Sequence, residues 1–400
     1  MKKMFLIFAL VVIIVSTAGC WSSTEVKNLA IVSSVIYDMD DENNYLIKLN
    51  IVNPSAIGSA DTGGGGNKKA GITLDGKGKS YTEALNDVSA NVDRRLFADH
   101  NKVRFLTEKV ATKDYAVINF LDFIMRDALT DESALFVVIR DEDKDKLYNS
   151  TATGLSNLIG TFLDELATTQ QKYCSSMTHI TTLDFIKANY ADGKEAVAGT
   201  LFLEETDNIP SQNSGLEDQE IQYKIVYEGL ALFKDYSLVG YMNGKETEIY
   251  NILTKQAKTG IVTIPKDEDF AALTWNKPKA IIKASYNGEN AIFDIKIEGE
   301  LTIDKMYIYN TSEEPFSDIM KTLKKEVSEQ MKTRTSAAIT KAQDYGSDIF
   351  GFGAMLHAQN PKAWRIIASD WEVYFKNATF NVECDFKINQ QGEINKPFIK

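Results

Sequence analysis

Residues 29–37 read Leu-Ala-Ile-Val-Ser-Ser-Val-Ile-Tyr and residues 45–52 read Tyr-Leu-Ile-Lys-Leu-Asn-Ile-Val, with Asp-Met-Asp-Asp-Glu-Asn-Asn at 38–44 between them. Two apolar, β-branched runs joined by a turn-rich segment predict a β-hairpin. In the second run Ile47, Leu49 and Ile51 occupy alternate positions, so they share one buried face. The next pattern is helical. Ser80 with Glu83 three residues later makes a capping box, and Leu85, Val88, Val92 and Leu96 follow at helical spacing. Residues 103–106 read as a strand. Val117, Phe120, Leu121 and Ile124 mark a second helix, residues 134–140 another strand, and Leu155, Leu158, Ile159, Phe162, Leu163 and Leu166 a third helix. Strands and helices therefore alternate irregularly, which predicts a multi-domain α+β protein with mixed or antiparallel sheets flanked by helices.

Further along, residues 204–220 turn polar, with Asp207, Pro210, Ser211, Asn213, Ser214, Gly215 and Asp218, the composition of a linker or exposed loop. Beyond it, residues 229–233 and 238–242 flank a turn at 234–237, and Asn287-Gly288 between 280–286 and 291–297 is a strong hairpin signal. The longest helix is expected at 316–342, where Ile319, Met320, Leu323, Val327, Met331, Ala338, Ile339 and Ala342 form a stripe that should face a sheet. Phe380, Val382, Cys384, Phe386 and Ile388 alternate on a late strand, 379–388. The expected division is a leader at 1–19, an N-terminal α+β domain at 20–205, a linker or exposed loop at 206–225 and a C-terminal α+β region at 226–400, with two subdomains dividing near 300.

At the N-terminus Lys2 and Lys3 precede an apolar run, residues 4–15, and then Ser16, Thr17, Ala18, Gly19 and Cys20. This is a signal peptide, because a membrane span needs about 20 apolar residues to cross about 30 Å of hydrocarbon. A cysteine directly after Ala-Gly is the acceptor for lipoprotein processing, so Cys20 is expected to carry a diacylglycerol with palmitate-type chains. Thr17 stands where such signals usually carry leucine. Stable anchoring takes two acyl chains, each buried methylene contributing about 0.8 kcal/mol, and a diacylglyceryl group supplies two. The formal net charge of −12 excludes nucleic acid and anionic lipid as partners recognised by bulk charge. Cys174 and Cys384, the other cysteines, do not make a disulfide framework.

The chain advertises no catalytic centre. Gly71 and residues 72–77 match the Gly and Lys positions of a phosphate-binding loop, but Gly78 stands where the magnesium-binding hydroxyl belongs. Residues 63–66, four glycines, read as a solvated loop. Asp38, Asp40 and Glu42 resemble the opening of a calcium loop, yet Asn43 replaces the required glycine and Leu49 the bidentate glutamate, so a hairpin turn explains them. His100, His179 and His357 are widely separated, Cys174 lies five residues from His179 without a nucleophile motif, and no Gly-x-Ser-x-Gly elbow occurs. No cofactor, metal or catalytic residue is expected.

Cys20-Trp21 and the run Glu25-Val26-Lys27-Asn28-Leu29-Ala30-Ile31-Val32 resemble the start of the Ger(x)C family, the lipoprotein C subunits of spore germinant receptors. Matching pieces follow in order: Ile51-Val52-Asn53-Pro54-Ser55; Arg94-Arg95-Leu96-Phe97 with His100-Asn101-Lys102-Val103; Leu121-Asp122-Phe123-Ile124-Met125-Arg126-Asp127; Gly229-Leu230-Ala231-Leu232-Phe233-Lys234 with Leu238-Val239-Gly240-Tyr241; Gly260-Ile261-Val262; Asp348-Ile349-Phe350-Gly351-Phe352-Gly353; and Pro361-Lys362-Ala363-Trp364. The departures are the glycines at 63–66, and Ala98-Asp99 where the family often has a glycine. The resemblance implies a non-enzymatic receptor subunit on the outer surface of the spore inner membrane, acting with a membrane-spanning A subunit and a permease-like B subunit. It also implies several α+β domains of unusual topology. His100, Asn101 and Lys102, where the chain passes from loop into strand, are the candidate polar cluster. Arg126-Asp127 reads as a helix-end ion pair and residues 350–353 as an aromatic lip or as core. A different class, an extracytoplasmic solute-binding lipoprotein, would place a cleft near 204–220; an envelope hydrolase would need a perturbed acid or nucleophile in a pocket.

Overall fold

The structure, a computed structural model, describes residues 25–57, 69–126, 131–150, 156–206, 222–266, 269–305 and 316–389. Cys20 and residues 1–19, expected as a leader, the glycines at 63–66, Asp127 and Leu155 lie outside the described residues.

The opening hairpin forms as its alternation dictates. Strand β1 (Leu29–Met39) pairs antiparallel with β2 (Tyr45–Val52), with Val35 opposite Leu49 and Tyr37 opposite Ile47. The Asp40 carboxylate closes the turn by accepting the N–H groups of Glu42 at 2.9 Å and Asn44 at 2.8 Å, with Asn43 at φ 60°. These residues serve a hairpin turn. Strand β3 (Gly71–Gly78) extends β2 antiparallel, so the stretch that matched a phosphate loop is extended backbone in a ladder.

Helix α1 (Tyr81–Ala90) starts at Ser80, whose hydroxyl accepts the Glu83 N–H at 3.2 Å; the Glu83 carboxylate takes the N–H of Lys79 instead of Ser80, so the expected capping box is offset by one residue. A Cβ at Gly76 would lie 2.1 Å from the Ala84 carbonyl oxygen, so this glycine lets the helix lie against β3. Only part of the expected helical stripe is helical. Asn91 ends α1, Val92 lies beyond it, and Leu96 belongs to β4 (Arg95–Phe97), parallel to β1.

The chain continues through β5 (Val103–Thr107), α2 (Asp114–Arg126), β6 (Leu135–Ile139), α3 (Ile159–Tyr173), α4 (Thr182–Asn189), β7 (Val197–Thr206), β8 (Gln222–Lys234) and β9 (Ser237–Met242). One nine-stranded mixed sheet results, ordered β3-β2-β1-β5-β6-β7-β8-β9 with β4 beside β1; β1, β5, β6 and β7 run parallel and the strands at both ends antiparallel. One face buries Tyr37, Phe120, Phe136, Phe185 and Phe233, and the other Phe105, Leu163 and Tyr227. Asp235 and Tyr236 both take positive φ, 48° and 68°, the tight-turn geometry that joins twisted strands β8 and β9.

After α5 (Gly244–Leu253), a second sheet forms from β10 (Thr259–Lys266), β11 (Asp269–Tyr286), β12 (Ala291–Lys305) and, last in the chain, β13 (Thr379–Ile388). Asn287 and Gly288, at φ 99°, connect β11 and β12. Helix α6 (Phe316–Tyr345) runs along β13 and buries Ile319, Leu323, Val327, Met331, Ala338, Ile339 and Ala342, the stripe expected to face a sheet. Short helices α7 (Phe352–Gln359), α8 (Pro361–Ile367) and α9 (Trp371–Lys376) lead into β13. Phe350 and Phe352 are core, not a lip. Cys174, exposed, and Cys384, half-buried, are free thiols.

The two sheets do not divide at 206–225. Strands β7 and β8 flank that segment and pair antiparallel, Leu201 opposite Tyr227 and Thr206 opposite Gln222, while residues 207–221 lie outside the described residues. The change of sheet falls between β9 and β10. A polar, turn-rich stretch marks an exposed connection, and hairpin loops share that composition with linkers.

Candidate functional site

The three residues singled out as a polar cluster have different fates. His100 is exposed, its ring edge-on to Phe97 at 5.4 Å. Asn101 is buried; its N–H donates to the Ala98 carbonyl at 2.9 Å, and its side-chain Oδ1 has no hydrogen-bond partner among the described residues. Lys102 stitches three strands: its N–H donates to the Ser33 carbonyl at 2.9 Å and its own carbonyl accepts the Leu135 N–H at 2.9 Å. Its ammonium lies 3.7 Å from the carboxylate of Asp164, on α3, whose other oxygen is 3.1 Å from His179 Nε2. The cluster the fold builds is thus Lys102, Asp164 and His179. It contains a cation, an acid and an imidazole; Cys174 is exposed, and its thiol donates to Gln170 Oε1 at 3.0 Å. Arg126 pairs with Asp122 one helical turn back, at 2.8 Å.

A second polar centre lies at the seam between the two sheets, within the run 348–353. Asp348 is 2% exposed. Its Oδ1 accepts the N–H groups of Gly351 and Phe352 at 2.9 and 3.0 Å, and its Oδ2 those of Gly353 and Trp371 Nε1 at 2.8 and 3.1 Å. It therefore satisfies the orphan donors that begin α7. An Asp three residues before Gly-Phe-Gly was the available signal. Around it, the Asp348 carbonyl accepts the Glu195 N–H at 2.9 Å, Gly193 accepts the Ala354 N–H at 3.0 Å, and Ser347 Oγ donates to the Phe233 carbonyl at 2.6 Å. Gly193 and Gly353 meet backbone to backbone: a Cβ on either would come within 2.7 Å of the other's Cα.

Burial raises both carboxyls at this seam. Asp348 moves from its ordinary 3.8 to about 6, against the pull of its four donors, and Glu195 from 4.5 to about 7, with Asp235 and Asp348 adding repulsion. A folded-state pKa above the unfolded one means that the native state holds the proton longer. The associated stability is full below the unfolded pKa and is lost as pH rises through the folded pKa. Stability should therefore fall between about pH 3.8 and about 7, which urea unfolding midpoints across that window will show. The surface carboxylates that their lysine and arginine partners hold low, such as Asp41 and Asp122, titrate below this window.

A cavity of about 350 Å³ lies against β1, β2 and β3, lined by Ile36, Asp38, Leu46, Lys48, Asp75 and Lys77 and by Lys144 and Asp145 beyond β6. Among the described residues no group of three His, Cys, Asp or Glu side chains could hold a metal ion, and no helix is long and apolar enough to cross a membrane.

Comparison with known proteins gives this architecture a lineage. Residues 22–202 match the family described as spore germination protein N-terminal domain, and residues 228–392 the family described as spore germination B3/GerAC like, C-terminal. Among curated proteins of Bacillus subtilis (strain 168), the chain is 23% identical to spore germination protein KC over 99% of this chain and 98% of that protein. It is 24% identical to spore germination protein YndF over 96% and 95%. Its fold is similar to the crystal structure of the GerBC protein, with a TM-score of 0.51 and 16% identity over 88% of this chain and 96% of that one. Two adjoining family matches in the order expected from the residue pieces, with relatives aligned end to end, place the chain in the Ger(x)C family of spore germination proteins.

Proposed function

We propose that the chain is a non-enzymatic, lipid-anchored subunit of a nutrient germinant receptor, required for spore germination through assembly with the membrane-spanning A subunit and the permease-like B subunit. The observation that carries this reading is the alignment of the whole chain, both family regions included, with spore germination proteins. The sequence around Cys20 supports an anchor of two acyl chains on the outer surface of the spore inner membrane. Confinement there raises the effective concentration of the folded domains for weak contacts with the other subunits. The separate family matches support an N-terminal unit, 20–205, and a C-terminal unit, 226–400, as the pieces that evolved as modules.

Affinity capture of the acylated protein from spore inner membranes, followed by mass spectrometry, tests the reading. The wild-type protein should bring down a multi-span protein and a permease-like protein, and Cys20→Ala should move the chain out of the membrane fraction and reduce both. Recovery of neither partner with the wild type would sink the proposal and favour a free-standing solute-binding lipoprotein.

A further inference from the structure

One end of the first sheet carries exposed apolar side chains. Strands β1, β5, β6 and β7 run parallel, Ser34 beside Val103 and Val103 beside Leu135, so their N-terminal ends lie together. The β8–β9 turn joins them, because β8 runs antiparallel to β7 with Val197 opposite Leu232. The described chain enters at this same end, at Glu25, five residues after Cys20. Fully extended, those residues span about 18 Å at most. An acyl group on Cys20 therefore keeps this end of the sheet within about 18 Å of the bilayer surface.

Tyr190, in the connection from α4 into β7, is 73% exposed, and Ile366 on α8 and Val373 on α9 are 66% and 60% exposed. Helices α8 and α9 are fastened to this end of the sheet. A Cβ at Gly193, just ahead of β7, would lie 2.6 Å from the Trp364 ring, and Lys234, closing β8, pairs with Glu372 at 2.5 Å. Trp371 packs on Gly353 in the same way. Ile366 and Val373 each follow one of these buried tryptophans by two residues, about 200° around the helix, so both point away from the seam. Charge is arranged to match. Arg94, Arg95 and Arg365 are exposed and have no ion pair among the described residues, and Arg95 lies beside Leu29 at the start of β1. The acidic run Asp40, Asp41 and Glu42 follows the opposite end of β1, a strand of 11 residues and so about 36 Å long.

We propose that this end of the sheet is a membrane-contacting surface, on which Tyr190, Ile366 and Val373 enter the headgroup layer while Arg94, Arg95 and Arg365 hold lipid phosphates. The proposal rests on the lipid anchor at Cys20 and adds which face of the protein that anchor turns to the bilayer. Two acyl chains hold a protein at a membrane without orienting it, whereas side chains spread across one end do orient it. Tyrosine suits the interface because its ring is apolar and its hydroxyl stays in water. Arginine donates to a phosphate through a bidentate fork. The formal net charge of −12 would repel an anionic surface if spread evenly. In the docked orientation Asp40, Asp41 and Glu42 stand far beyond the screening length, about 8 Å at physiological ionic strength. Each basic residue near an anionic surface favours contact about fivefold.

Environment-sensitive probes on the acylated protein test the orientation. Labelling sites are introduced as Tyr190→Cys, Ile366→Cys and Val373→Cys, one at a time, with Asp41→Cys as the far-end reference, in a Cys174→Ser background. Cys384 labels slowly, because burial pushes its thiol up to about 12. The protein is reconstituted alone in vesicles of phosphatidylethanolamine and phosphatidylglycerol. Probes at the first three positions should be quenched by a headgroup nitroxide lipid and shielded from aqueous iodide, while the reference stays open to iodide. Arg94→Ser with Arg95→Ser should lower the ratio of docked to undocked protein by about tenfold or more and leave the thermal midpoint unchanged, since both side chains are exposed and unpaired. Protein that sediments with the vesicles while all four probes stay open to iodide would overturn the proposal and leave the anchor standing. Protein that does not sediment would end both readings. Shielding that arises only in native spore membranes would assign the surface to a protein neighbour and overturn the contact with lipid.

Discussion

Replacing Asp348 by Ala should lower the free energy of unfolding by about 4 kcal/mol, the largest loss expected from any single carboxylate among the described residues. The carboxylate receives four N–H groups, three from the backbone at the start of α7 and one from Trp371. Alanine supplies no acceptor, and the site, 2% exposed in the wild type, admits little water to replace it. Each orphaned buried donor costs roughly 1–3 kcal/mol, and partial relaxation of the loop keeps the sum below the simple total. Asp348→Asn should lose about half as much, because its amide oxygen can still serve Gly351 and Phe352 while its NH2 faces two donors. The same substitution should flatten the decline of stability with pH, since it removes the group whose pKa rises to about 6. Urea unfolding followed by tryptophan fluorescence reads both effects, Trp371 lying at the site itself. An Ala variant as stable as the wild type would mean that this seam contributes nothing to holding the two sheets together.

Replacing Arg334 by Met should cost about 3–5 kcal/mol. Glu248, on α5, is 5% exposed and holds two partners: its Oε1 accepts Trp275 Nε1 at 2.7 Å, and its Oε2 pairs with Arg334, on α6. Burial raises the Glu248 carboxyl, while Arg334 and Trp275 oppose the rise. Without the guanidinium the carboxylate must stay charged and unpaired in the core or take up a proton. Both are unfavourable at neutral pH. The double substitution Glu248→Gln with Arg334→Met should recover most of the loss, because a neutral amide keeps the bond to Trp275 and leaves no buried charge. A double-mutant cycle on denaturant midpoints measures the coupling. Equal instability of the single and double variants would show that packing of the arginine stem, and not the charge, is what matters.

Local elements were legible in the sequence wherever one periodicity ruled a short segment. The alternation in β2 and β13, the buried positions of α2 and the Asn287-Gly288 connection all reflect constraints acting within a few residues of each other. Where a pattern crossed a boundary the local signal misled. Val88, Val92 and Leu96 keep helical spacing, yet Asn91 ends the helix and Leu96 pairs beside β1. Strand length departs from the local pattern as well: β11 begins at Asp269, well before the apolar run at 280–286, and its first half buries Ala271, Leu273 and Trp275 at alternate positions before a register shift at 276–279 interrupts the alternation.

Of the candidate polar cluster, Lys102 alone joined a set of interacting charges, and its partners Asp164 and His179 lie far along the chain. No spacing rule links them. They meet because β5 and α3 pack together, a consequence of which strands become neighbours. The seam at Asp348, the Glu248–Arg334 pair and the charge rows of the cavity have the same origin.

The sequence by itself determined the α+β class, the family and most helices and strands, because propensity, capping and hydrophobic period act over one or two turns of chain. Only the tertiary structure decided that β7 and β8 close one sheet across the polar segment at 206–225, and which charges face each other. Strand partnership is chosen by the burial of whole faces between segments distant in sequence, and a polar connection looks the same whether it links two domains or two neighbouring strands.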